Sequence, residues 1–485
     1  MPDESEVRGL RVGSTESTRL SGSALWAVLA GALAIPLATA ALPLTDPDTL
    51  WHILVGQRLW QTWQFVGPAP RPGLLSGDYV YHQWLPQLAA AGAYAAWGLP
   101  GVALLAHVVR VAVLAAVYRL ARSHGSPAAA AITVVLSVVA LAGAFTARPQ
   151  LAALLLLAGS VYGWRSTVRD GRFRWWLALM SWVWACSHGT WVVGLAVGAL
   201  AVAARWWTHR PTVPRGPLAL LAACGLAGFA TPLGFTIVGA FDSVRAVAWF
   251  ADEWRPPTLA DPPFVAFLLI LAAILVGWVA QRRRPSVFDT LSALFAFGLA
   301  MSSYRGVALG AVIDGPVLAG ALTVDRSAGR ARWPAPARHT RLGRAESVLL
   351  ALPVMLSVIL AASVAPQTAA APANAHDAFS DSLRSLPVGS VVLNDVALGG
   401  WLLWTYPNVV PVVDTRLETY GPEYLRTVVA AYQVQPGWES LVDRTGARAA
   451  ILPADSPLAT ALVITRGWTT AGDDEGFVLL LAPTG

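Results

Sequence analysis

Lysine is absent from this 485-residue chain, and all 34 of its basic side chains are arginine. They cluster in short turns instead of forming a patch interleaved with exposed aromatics. The formal charge of +6 therefore reflects membrane topology and gives no sign of a nucleic-acid partner. Cysteine is nearly absent: Cys186 and Cys224 both lie inside apolar segments, where a thiol acts as a small hydrophobe and reveals nothing about the redox compartment. No tight His/Cys cluster of zinc type occurs. Neither G-x-G-x-x-G nor a phosphate-binding P-loop is present, so nucleotide binding is not expected. No repeat recurs at a fixed period. Charge is scarce, at 13% of residues against 55% apolar with a mean hydropathy of +0.54, and a chain of that composition cannot be mostly water-soluble.

What is abundant is apolar sequence in long runs. They occur near residues 24–44, 100–119, 127–145, 149–164, 174–187, 190–206, 217–239, 263–280, 286–302, 304–323 and 345–365. This predicts a polytopic α-helical membrane protein of about eleven spans, several of them short against the usual ~20 residues. The turns RLARSH (119–124), RSTVRDGRFR (165–174), RWWTHRPTVPR (205–215), QRRRP (281–285) and the stretch 325–344 are basic, and they alternate with turns holding few positive charges. By the positive-inside rule the basic set and the amino terminus are cytoplasmic, in the plasma membrane, and the carboxy-terminal part is outside. Residues 1–20 read as a disordered tail. Ala38-Thr39-Ala40 resembles a signal-peptidase site, but the long, mixed-charge leader argues against cleavage there.

The membrane region is expected over 21–365, with a first external loop at 45–99. Residues 366–378, rich in Ala, Pro, Asn and Gln, read as a linker to an extracytoplasmic α/β domain at 379–485. There GSVVLN (389–394), NVVPVVD (408–414), ARAAILP (447–453) and FVLLL (477–481) have the character of buried strands. The segments 422–434 and 436–446 read as helices between them, so the sheet should be partly parallel.

The chemistry-bearing residues fall in turns on the face without basic clusters. In DPDTLWHILVGQRLWQTW (46–63), Asp46 caps a helix, Pro47 takes its first position and Asp48 favours the helix dipole. That structural role does not account for His52, one turn beyond Asp48 on the same face, or for Arg58. Trp51, Trp60 and Trp63 suit a helix in the headgroup region. His82, Arg148, His188, Asp252, Glu253 and Arg305 occupy other turns of this face. A lone arginine at such a boundary usually snorkels to headgroups. Several on one face, with acids beside them, suggest a cationic pocket edged by carboxylates. Guanidinium groups bind phosphate by paired, charge-assisted hydrogen bonds. A neighbouring carboxylate would take the proton of an acceptor hydroxyl. In the outer domain Asn394 with Asp395, and Asp414, Arg416 and Tyr420, sit at strand ends, where α/β sheets bind ligands, and they form a weaker candidate for acceptor recognition. Asp46, Asp48 and His52 together offer ligands for a divalent metal ion.

The succession DPDTLWHILVGQRLW, YHQWL, SHG, TPLG, EWRPP and a span opening at an arginine resembles bacterial multispan proteins related to the GT-C glycosyltransferases. The chain departs from that pattern at Ser187 and Thr231, where asparagine would be expected. The resemblance implies transfer of a sugar from a polyprenyl-phosphate donor to an extracytoplasmic glycan, lipid or protein. It implies Asp48 as base, with Asp46 as its alternate, and Arg58, Arg148 and Arg305 as phosphate or sugar ligands. The competing expectation is a non-enzymatic transporter or scaffold for lipid-linked or cell-envelope polymers. A transporter should carry broken or polar helices at mid-membrane depth, whereas these spans are mostly Ala, Leu and Val.

Overall fold

The computed structural model describes residues 35–36, 39–71, 73–74, 78–209, 215–281, 284–323, 344–373 and 375–483. Most of the first apolar run, the tail at 1–20, part of the cleavage-like motif and the basic stretch 325–343 lie outside the described residues.

The first helix of length in the described region is α1 (Asp48–Thr62). A short antiparallel hairpin of β1 (Val66–Pro68) and β2 (Asp78–Val80) follows. Then comes α2 (Trp84–Arg122), broken at Trp97 and Gly98, where Gly98 takes a φ of 63° that a side chain would resist. Pro100 falls just after the break, in the first turn of the second half, where its missing N–H costs nothing. The amino-terminal half of α2 thus belongs to the first loop and the second half to the membrane bundle.

The bundle continues with α3 (Pro127–Leu141), α4 (Pro149–Asp170), α5 (Trp175–Ala185), α6 (Trp191–Thr208), α7 (Arg215–Phe229), α8 (Thr236–Val247), α9 (Pro262–Ala280), α10 (Val287–Ser302), α11 (Tyr304–Leu322) and α12 (Arg344–Thr368). Among the described residues seven helices are long and apolar enough to cross a membrane, and α7 and α10 are shorter apolar helices. The most enclosed is α11, whose apolar side chains Val307, Val312, Ile313 and Leu318 lie in one core with Val117, Leu154 and Phe267. Its approach to the turn between α2 and α3 relies on a small residue, since a Cβ on Gly125 would collide with the backbone of Ala319.

The basic turns meet at one end of this bundle. Arg165 Nε donates to His124 Nε2 at 3.1 Å and its Nη2 pairs with Asp289. Arg205 Nη1 donates to the carbonyl of Val168 at 2.8 Å. Arg122 binds Glu346 at 2.7 Å. The opposite end carries the C-terminal domain.

That domain contains α13 (Ser380–Ser385), β3 (Ser390–Asn394), α14 (Gly399–Thr405), β4 (Val409–Pro411), α15 (Pro422–Tyr432), α16 (Glu439–Thr445), β5 (Ala449–Pro453), α17 (Pro457–Arg466), β6 (Thr469–Asp474) and β7 (Phe477–Leu481). The sheet order is β4-β3-β5-β7-β6. The β3–β4 and β3–β5 pairs are parallel, and β7 runs antiparallel to β5 and β6. The fully buried β3 accounts for its uninterrupted apolar sequence. The edge strand β6, TTAGDD, is polar and largely exposed, so hydrophobic patterning gave no sign of it.

Candidate active site

Asp46 starts the site. Its Oδ1 accepts the N–H of Asp48 at 2.9 Å, so it does cap α1 and leaves Asp48 in the first turn. Two ties hold this corner against the bundle. Thr49 Oγ1 donates to the carbonyl of Ala147 at 3.4 Å, and Arg110, buried within α2, donates from Nε to the carbonyl of Phe145 at 2.6 Å. The segment so fixed ends at Arg148, in extended conformation directly before Pro149 opens α4.

Arg148 joins three carboxylates. Its Nε lies 2.7 Å from Asp46 Oδ1 and 3.0 Å from Asp48 Oδ2, and its Nη1 lies 2.9 Å from Glu253 Oε2. The other Glu253 oxygen pairs with Arg305 Nη2. Arg305 stacks over Trp254 at 5.2 Å, and its buried Nε has no hydrogen-bond partner among the described residues. Arg305 lines a narrow cavity together with Gln150, Glu253 and Tyr304. The expected cationic pocket is therefore a mixed one: both guanidinium groups are already paired with carboxylates, and the buried Arg305 Nε has no partner among the described residues.

The two acids beside Arg148 are driven apart. Burial raises the Asp48 pKa to about 6, because the attraction of Arg148 does not offset desolvation with Asp46 and Glu253 nearby. Burial acts on Glu253 too, but Arg305 and Arg148 together hold it below the ordinary carboxylate range. For Arg148, burial opposes the charge, and Asp48, Asp46 and Glu253 more than compensate and raise its pKa. A proton donor or acceptor near neutrality and a permanently ionised carboxylate thus share one cation.

Three buried histidines complete the wall. His52 Nδ1 is paired with Gln87 Nε2 at 3.0 Å, and His82 Nδ1 with the carbonyl of Val80 at 3.0 Å. His188 Nδ1 accepts the N–H of Thr190 at 3.1 Å, which leaves the ring proton on Nε2. Burial lowers the pKa of all three, and Arg148 beside His52 and Arg305 beside His188 lower theirs further. They are neutral hydrogen-bonding groups at physiological pH.

The C-terminal domain closes one side. Trp51 Nε1 donates to Thr415 Oγ1 at 2.9 Å and to Asp48 Oδ1 at 3.2 Å. Gly400 lies so close to the carbonyl of Pro47 that a Cβ there would stand 2.3 Å from it. Glu418, in the turn Leu417–Thr419, is charge-coupled to Asp48, and burial raises it to about 7. None of Thr415, Glu418, Gln87, Gln150 or Arg110 stood out in the sequence; only the proximity of 415 and 418 to the Asp414–Arg416 pair could have drawn attention to them.

Several expectations are corrected by these positions. Trp60 and Trp63 are exposed as interfacial rings should be, but Trp51 is buried in the site. Arg58 stands beside the Tyr81 phenol and does not join Arg148 and Arg305. The Asp252 side chain is 94% exposed and turned toward Arg255 at 3.6 Å. Asp414 and Arg416 are 0% and 1% exposed, and they form a clamp without an accessible face for an acceptor. Arg416 binds Asp414 through Nε at 2.9 Å and Nη2 at 2.7 Å. It also donates to the carbonyls of Pro70 and Arg71 in the first loop. Tyr420 caps the same Asp414 at 2.6 Å. Asn394 is buried and spends its amide on Val413 and Val412, whereas half-buried Asp395 caps the N–H of Ala397.

A divalent ion does not fit the donor set as arranged. Asp46 and Asp48 both face the Arg148 guanidinium and His52 turns its Nδ1 to Gln87. Among the described residues no group of three or more His, Cys, Asp or Glu side chains is disposed to hold a metal.

No protein-family model and no curated protein matches this chain. Solved structures do match. ArnT from Cupriavidus metallidurans bound to undecaprenyl phosphate is similar at a TM-score of 0.55 and 15% identity, covering 95% of this chain and 98% of that one. The oligosaccharyltransferase AglB from Archaeoglobus fulgidus, in complex with an inhibitory peptide and a dolichol-phosphate, is similar at 0.54 and 12%, covering 88% and 69%. The Archaeoglobus fulgidus enzyme in complex with Zn and sulfate gives 0.51 and 12%, covering 87% and 67%. The chain has the GT-C fold of these membrane glycosyltransferases.

Proposed function

We propose that the protein is a membrane glycosyltransferase that moves a sugar from a polyprenyl-phosphate-linked donor to an acceptor hydroxyl at the outer face of the plasma membrane, with its amino terminus inside. The observation that carries this reading is Asp48, a carboxyl with a pKa of about 6 at 3.0 Å from Arg148, which Glu253 links to a second guanidinium, that of Arg305. A carboxyl poised near neutrality suits proton abstraction from a hydroxyl, and the Arg305 guanidinium suits a departing lipid phosphate. The fold supports the donor class, since relatives in structure hold undecaprenyl phosphate and dolichol-phosphate.

In this reading each residue around the base has a role. Asp48 takes the acceptor proton. Arg305, through Nε and the face not used by Glu253, binds the donor phosphate and stabilises its growing charge. Neutral His52 and His188 offer ring N–H groups to sugar hydroxyls without adding charge. Glu253 holds the two arginines at fixed spacing, and Asp46 orients α1 so that Asp48 points inward. Trp51, bonded to both Asp48 and Thr415, ties the base to the C-terminal domain.

Transfer from radiolabelled polyprenyl-phosphate sugars, measured with purified protein in membranes and with Asp48→Asn, tests the proposal. Label transferred by the wild type and lost in the variant is the expected result. Donor binding without transfer in either protein would replace the enzyme with a carrier or scaffold.

A further inference from the structure

Three carboxylates gathered at one largely buried site need a cation to neutralise them, and here a side chain supplies it. We infer that Arg148 is the resident cation of the site, standing where a divalent metal would stand, and that the protein works without a divalent ion at this position. The inference deepens the proposed function by naming what the site requires, but it rests on the ion-pair geometry and its test does not depend on transfer.

Asp46, Asp48 and Glu253 come from two separate turns and have no reason to converge except a shared positive partner. Arg148 provides it through two sectors of one planar group: Nε serves Asp46 at 2.7 Å and Asp48 at 3.0 Å, and Nη1 serves Glu253 at 2.9 Å. A guanidinium spreads its partners around its own plane, whereas a metal ion draws all of its oxygens to within about 2.0–2.6 Å of one point. The carboxylates meet Arg148 at two different nitrogens, and among the described residues no three acidic, His or Cys side chains are grouped to hold a metal.

The placement is built into the backbone. Arg148 is fixed between Ala147, whose carbonyl accepts Thr49 Oγ1, and Pro149, which starts α4. It cannot swing away to admit an ion without uncovering three acids, and a metal entering beside it would meet a like charge. Because arginine cannot be deprotonated in this range, the cation is permanent and independent of ion supply.

Titration of the full-length protein in lipid nanodiscs with Mn²⁺ alone, followed by electron paramagnetic resonance, decides the matter. The wild type should show no Mn²⁺ site that Asp46→Asn removes. Arg148→Ala should gain one site, bound about a hundredfold more tightly than any in the wild type, in the range that clustered carboxylates confer. Asp46→Asn added to Arg148→Ala should abolish it. Arg148→Gln, which drops the charge but leaves a polar amide on part of the aliphatic stem, repeats the test if the alanine variant does not fold. A wild-type Mn²⁺ site lost in Asp46→Asn overturns the inference, as does a folded Arg148→Ala or Arg148→Gln that gains none. Absence of sugar transfer would count against the proposed function while leaving this result in force.

Discussion

Two aspartate–arginine assemblies in this molecule use the same chemistry to opposite ends. In the C-terminal domain, Asp414 and Arg416 are sealed at 0% and 1% exposure, and Tyr420 and the first-loop carbonyls occupy what the pair leaves over. In the site, Arg148 is 20% exposed, Asp48 is 13% exposed, and Arg305 retains a buried N–H with no partner among the described residues. A saturated pair holds parts together, and an unsaturated one has capacity for a ligand. Their titration diverges accordingly: burial pushes Asp48 up to about 6, whereas Arg416 holds Asp414 below the aspartate range despite its burial.

The contrast is broken most severely at Asp48. Asp48→Asn should lower the turnover of sugar transfer by about 10²–10⁴-fold, the span attributed to general bases, with little change in thermal stability. Asp414→Ala should do the reverse. Leaving Arg416 buried without its partner costs about 3–5 kcal/mol, read as a shift in the denaturation midpoint, and loosens the first loop from the domain. Because the folded pKa of Asp414 is depressed, this contribution persists at neutral pH and fades only as pH falls through that low value. Arg305→Met should reduce turnover by about 10²-fold through lost phosphate stabilisation, measured with saturating donor. Trp51→Phe removes one donor shared by Thr415 and Asp48 and should cost about 1 kcal/mol of stability, seen by thermal melting. The smallest effect belongs to Glu418→Gln. Glu418, raised to about 7, is already protonated where Asp48 titrates, so its replacement should leave the acid limb of the activity profile unmoved.

The parts of this account legible in the sequence are those where an ionisable residue interrupts apolar sequence. Asp46, Asp48, Arg148, Glu253 and Arg305 stand out for that reason, because a charge at a span boundary has few structural uses. The alternation of basic turns likewise anticipates the gathering of Arg122, Arg165 and Arg205 at one end of the bundle. What the chain does not disclose is partnership. Nothing in the spacing of residues 46, 148 and 253 says that one guanidinium serves all three acids. The indole of Trp51 reads like those of Trp60 and Trp63 until its neighbours are known. Asp414 and Arg416 sit at a strand end, as a ligand-binding pair would, and only the first loop folding over them makes them a clamp. Glu418 escaped notice because a glutamate in a polar loop carries no pattern; its burial comes from packing across the domain boundary.

The dependence of kcat/KM on pH for transfer from a polyprenyl-phosphate sugar, in wild type and Asp48→Asn, tests the central claim most directly. A base must be ionised, so the wild type should lose activity tenfold per unit as pH falls below about 6, and the residual activity of the variant should lack that limb. A variant with full transfer and the wild-type profile would contradict the assignment of Asp48 as the base.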